Sequence, residues 1–155
     1  MNKFDELRRL LDQIVLGEIP DNLSNRVFEF VDEDCQPESF LQIIIHSDSD
    51  SVCKKELFLR GIKELGWEIP TPVEAARRHL RRIFESILAE EISPYEGALL
   101  IEKGHYYHFP EFENDLSLFG TCALEIDWND DIKAIAYYQK MIAVHCHSLL
   151  KTGTY

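Results

Sequence analysis

What the chain has little of narrows it first. Lys and Arg number 16 against 28 Asp and Glu, a formal charge of −12 with the six histidines neutral. A field of that sign repels phosphate backbones and anionic headgroups, so neither nucleic acid nor a membrane is an expected partner, whereas a basic protein is. Apolar runs such as Ile43-Ile44-Ile45 fall far short of the ~18 consecutive apolar residues that cross a bilayer. Met1-Asn2-Lys3-Phe4-Asp5-Glu6-Leu7 interleaves charged and apolar residues where a secretory signal needs an unbroken apolar region, so a cytoplasmic location is expected. The four cysteines, Cys35, Cys53, Cys122 and Cys146, contain no CxxC pair. That spacing fits neither a zinc knuckle nor the disulfide framework of a small secreted domain, and it predicts reduced thiols. There is no glycine-rich phosphate loop, and no cofactor is expected.

What is present is a helical pattern. With 155 residues, 45% hydrophobic and 11% aromatic, the chain can fill a core, and one folded domain is expected rather than a disordered acidic tail. From Pro72 onward Val73, Ala76, Leu80, Ile83, Phe84, Ile87 and Leu88 recur at spacings of three and four, the stripe of an amphipathic helix. Thr71 is placed to cap it, with Pro72 at the first helical position and Glu74 completing a capping box. Asn2 to Leu16 repeats the period, and Gly17 follows as a helix terminator. Helix-like spacing or caps also mark 21–31, 37–46, 51–65, 94–103, 110–126 and 130–150. Leu41 to Ile45 carries the β-branched content of a short strand, but Pro37-Glu38 ahead of it reads as a helix start. The expected fold is all-α, with about eight helices.

The halves resemble each other at an offset of 73 residues. Leu11 to Ile19 lies over Phe84 to Ile92 with apolar on apolar and Glu18-Ile19 on Glu91-Ile92, and Pro37-Glu38 lies over Pro110-Glu111. Two four-helix halves, 1–66 and 71–155, are one reading; chance matching of amphipathic helices is the other. Gly66 to Pro72 has the punctuation of a connection between them, with Trp67 and Ile69 as apolar pins.

Candidate chemistry is sparse. His105 and His108 have metal-ligand spacing only on a helix, and Gly104 before them reads as a helix end. A metal site or metal-dependent enzyme using His105, His108 and a carboxylate such as Glu111 is therefore one alternative to an immunity-type binding protein, and a helical adaptor or regulatory protein is the other. His145 and His147, two apart on a helix, diverge by about 200° and cannot share a site. Cys146 between them is expected to be a buried, inert thiol. Ser47 to Ser51 reads as a turn with a helix cap, since it lacks the glycine and closing glutamate of a calcium loop. Arg77, Arg78, Arg81 and Arg82 are expected to pair with acids on their own or a neighbouring helix. Tyr137-Tyr138 could stack on a ligand, but at helical spacing the pair is expected to fill the interface between the last helix and the rest, and the rings around Tyr106-Tyr107 to cover the core from a loop.

The acids are gathered in two places. Glu29, Asp32, Glu33, Asp34 and Glu38 cluster at the end of the second helical segment and in the loop after it, and Glu111, Glu113, Asp115, Asp127, Asp130 and Asp131 crowd the corresponding part of the second half. Such groups either solvate a face or dock a basic partner, where complementary fields speed association.

The stretch Arg82-Ile83-Phe84-Glu85-Ser86-Ile87-Leu88-Ala89-Glu90-Glu91-Ile92-Ser93-Pro94-Tyr95-Glu96-Gly97-Ala98 resembles a signature of small all-α bacterial proteins of the toxin-immunity type. A helix ends in Ile-Leu, an acid and Ile follow, and Pro-Tyr-Glu-Gly-Ala opens the next helix. Glu111 to Ile126 and the last helix also look like that family, so the resemblance covers roughly 72–150. In the first half Pro20-Asp21-Asn22-Leu23 stands where Pro-Tyr-Glu-Gly would be. The resemblance implies an immunity protein that occludes a basic toxin, in the first instance a nuclease, and it carries over no functional residue.

Overall fold

A computed structural model describes residues 2–32, 35–104, 106 and 109–155. Among these the chain is all-α: α1 Lys3–Val15, α2 Leu23–Phe28, α3 Glu38–Ile45, α4 Ser51–Glu64, α5 Pro72–Leu88, α6 Pro94–Lys103, α7 Glu113–Trp128 and α8 Ile132–Lys151. Each segment expected to be helical is one, and Leu41 to Ile45 belongs to α3. No helix among the described residues is long and apolar enough to cross a membrane.

The chain divides into two compact units, Met1–Ala75 and Ala76–Tyr155. The break falls inside the first turn of α5 rather than within the linker, and the linker itself shows a reason. Trp67 and Ile69 pack against the core of the first unit. The Trp67 ring also lies 6.0 Å from that of Phe4 and 5.3 Å from the Arg8 guanidinium carbon.

In the first unit Leu10, Ile14, Leu23, Val27, Phe40 and Phe58 are among the core residues without solvent exposure. Phe40 stacks on Phe58 at 5.4 Å. Helices α3 and α4 approach at Gly61, where a Cβ would come within 2.3 Å of the Phe40 ring. Glu64 ties the end of α4 back to the start of α3 by accepting from the Ser39 amide (3.2 Å) and hydroxyl (2.6 Å). Asp50 caps α4 by accepting from the Cys53 amide at 2.7 Å, so Ser47 to Ser51 is a turn with a cap.

The second unit is built on stacked aromatics. Phe84 of α5 stacks on Phe119 of α7 (5.5 Å, 5° between planes), and Tyr155 meets Phe84 edge-on at 5.2 Å. The segment after α8 folds back through Gly153 at φ +71°, which buries Tyr155. Its hydroxyl donates to Asp115 Oδ2 at 2.8 Å, and its carbonyl accepts from Arg81 Nη1 at 3.3 Å.

The same left-handed terminus closes α1, α4 and α5. At the end of α1 Gly17 (φ +90°) donates to Ile14 and Glu18 donates to Gln13; at the end of α4 Gly66 (φ +75°) donates to Lys63 and Trp67 to Ile62; at the end of α5 Glu90 (φ +58°) donates to Ile87 and Glu91 to Ser86. These are the same pair of bonds each time, so the terminus is not particular to the offset of 73. The two halves differ at the third helix, since α3 has 8 residues and α7 has 16.

Candidate functional site

The residues of the signature around 82–98 are occupied with structure. Ser93 caps α6 and forms a full capping box with Glu96, while Pro94 opens the helix. Those bonds from Ser93 hold the Glu96 carboxyl below its usual range. The Tyr95 hydroxyl donates to the Asp127 carboxylate, an arrangement that raises the Tyr95 pKa and joins the start of α6 to the end of α7. Gly97 admits Ile87, whose Cδ1 would lie 2.3 Å from a Cβ at that position.

The second acidic group does not form one patch. Glu111 and Glu113 are exposed before and at the start of α7, and Asp127 stands at its end. Along the helix Glu113 and Asp127 are about 21 Å apart at ~1.5 Å per residue. The helix expected over 110–126 already runs between them, and its length keeps them apart. Asp115 is half-buried and accepts from Tyr155, so it serves the folded-back segment. In the first unit Glu29 is exposed at the end of α2, and Asp32 pairs with Lys3. Asp32 also exchanges backbone bonds with Cys35 in an isolated bridge. Glu33, Asp34, His105 and His108 lie outside the described residues.

What remains together is the connection between α7 and α8. Asp127, Asp130 and Asp131 are all exposed there, and Asp131 caps α8 by accepting from the Lys133 amide at 2.9 Å. Between and beside them stand Trp128, 83% exposed, and Ile132, 81% exposed. Sequence reasoning missed both. Trp128 follows Leu124 at i, i+4 on a solvent-facing stripe of α7, and only the burial of Leu116, Phe119 and Cys122 on another face reveals that this stripe is free.

The remaining candidates separate clearly. His145 is half-buried with Nε2 2.7 Å from the Asp115 carbonyl, which can only accept, so this nitrogen carries the proton. His147 is exposed, and the two rings do not share a site. Cys146 is fully buried, and burial raises its thiol to about 12; burial likewise pushes the Cys122 thiol up. Neither has thiolate character. Arg81 pairs with Glu85 at 2.8 Å within α5. Tyr137 does not fill an interface: it is 60% exposed on α8, with its ring edge-on to Tyr138 at 5.4 Å. No group of three or more His, Cys, Asp or Glu side chains suited to a metal occurs among the described residues.

Comparison with protein-family models, with curated proteins and with solved structures returns no match for this chain.

Proposed function

We propose that the chain is a cytoplasmic acidic binding protein that blocks a basic protein partner, and within that class an immunity protein neutralising a toxin by occlusion. The observation that carries this reading is the connection between α7 and α8, where exposed Trp128 and Ile132 stand among Asp127, Asp130 and Asp131. A tryptophan left in water at a corner is the kind of rigid apolar anchor that dominates protein interfaces. The carboxylates around it supply the field that draws in a basic surface and fixes its register once desolvated. If the partner is a nuclease, the same carboxylates occupy the positions that substrate phosphates would take. The net charge of −12 extends that steering over the whole chain.

The test is co-expression with the product of the adjacent gene, followed by affinity and rate measurements on the purified pair. Trp128→Ala is expected to weaken the complex by roughly 30-fold or more, corresponding to about 2 kcal/mol for a central anchor, without loss of helicity. Asp130→Lys is expected to slow association and flatten its dependence on salt. If no basic partner is retained at low salt, or both variants bind as the parent does, the reading fails.

A further inference from the structure

A second surface of the same helix pair has a different chemistry. Between α7 and α8 runs a groove of about 460 Å³, within the size range of small-ligand sites. Its walls are Leu118 of α7 with Tyr137, Met141 and Val144 of α8, and it extends as far as Ser148. From Tyr137 to Ser148 that is about 16 Å along the helix, at ~1.5 Å per residue. Tyr137 and Val144 are 60% and 61% exposed, so the groove presents apolar surface directly to water.

Two walls are held in place. The Tyr137 ring rests edge-on against Tyr138, and the His145 ring is fixed by its bond to the Asp115 carbonyl and by Phe119 at 5.3 Å. One cation stands on the lining, Lys140, between Tyr137 and Val144 in sequence. Like the other described lysines apart from Lys3, it has no carboxylate within ion-pair distance among the described residues.

We propose that this groove binds an amphiphilic monocarboxylate, with its apolar body along Leu118, Met141 and Val144 and its carboxylate on the Lys140 ammonium. At contact distance the Lys140 ammonium outweighs the salt-screened repulsion of the −12 chain for one negative charge, whereas a phosphate monoester would bring a second, unbalanced charge into that field. A cationic amphiphile would meet Lys140 as a like charge. The apolar walls supply the binding free energy, and the lysine supplies the choice of headgroup.

The experiment titrates the full chain with decanoate and decyltrimethylammonium below their micelle concentrations and with decanol below its solubility limit, and follows backbone amide chemical shifts. Decanoate is expected to shift the amides from Tyr137 to Ser148, with decanol at least fivefold weaker and decyltrimethylammonium weaker still. Lys140→Gln should bring decanoate down to the affinity of decanol while leaving decanol unchanged. Val144→Asp should abolish binding of both, and both positions are exposed enough for the variants to fold. Trp128→Ala should leave decanoate binding intact, which separates this site from the protein-docking corner. Equal affinity for the three probes, an unchanged Lys140→Gln variant, or shifts centred elsewhere would overturn the assignment.

Discussion

Glu90 holds a backbone conformation that suits glycine. Its φ of +58° closes α5 in the way that Gly17 closes α1, but its side chain makes the left-handed region costly by roughly 1–2 kcal/mol. Glu90→Gly is therefore expected to stabilise the protein by about 1 kcal/mol, a rise of roughly 3 °C in the thermal midpoint. Gly17→Ala is expected to lower stability by a similar amount, and thermal unfolding of both variants checks the pair. The cysteines give a second residue-scale test. Cys53 is exposed and Cys35 half-buried, while Cys122 and Cys146 are buried. A thiol reagent should label Cys53 first in the native protein, Cys35 more slowly, and the other two only on unfolding, as read by mass spectrometry of partial digests. Labelling of Cys146 at the rate of Cys53 would contradict its placement in the core.

At the scale of elements, close approach is set by single glycines. Gly61 lets α4 meet Phe40 of α3, and Gly97 lets α6 meet Ile87 of α5. Alanine at either position places a methyl group 2.3 Å from its neighbour, and each substitution is expected to cost about 1–3 kcal/mol in chemical denaturation. The Ile87 side chain is flexible, whereas the Phe40 ring is stacked on Phe58, so Gly61→Ala should be the more damaging. The folded-back segment after α8 is the other element whose loss can be measured. Tyr155→Ala removes a buried ring and leaves its cavity, at about 3–5 kcal/mol, whereas Tyr155→Phe should lose only its hydrogen bond to Asp115, about 1 kcal/mol.

For the whole molecule, buried acids set the alkaline limit. Burial raises the Cys146 thiol to about 12, against about 8.5 in an unfolded chain, and burial also raises the Tyr155 phenol well above its usual value near 10. Both groups stay protonated in the fold after they would ionise unfolded, so the unfolded state binds fewer protons and stability falls as pH rises. The decline should begin near pH 8.5 and steepen above 10. Cys146→Ala is expected to reduce the first part of it, the buried Cys122 thiol supplying the remainder, and denaturant titrations at stepped pH test this. The surplus charge acts on the same scale. At neutral pH, 28 acids against 16 bases repel one another, so moderate salt is expected to raise the thermal midpoint, and it should do so less in an Asp130→Lys variant.

Much of the architecture was legible in local sequence, because helices are local. The 3.6-residue stripe, Gly17 and Gly66 as terminators, and the Thr71–Glu74 box each follow from interactions within a few residues, and each stands in the fold. Helix ends were less legible where no capping side chain marks them: α7 starts at Glu113 rather than Pro110, with no side-chain cap at Phe112. The predicted helix over 110–126 already put Glu113 and Asp127 at opposite ends of one element, but that a folded-back tyrosine claims Asp115 was not legible. Nor was the exposure of Trp128, Ile132 and Tyr137, because apolar residues read alike in sequence whether a neighbouring helix covers them or not. Local chemistry determined where the helices lie; long-range packing decided which of their faces meet water, and the candidate surfaces are made of those faces.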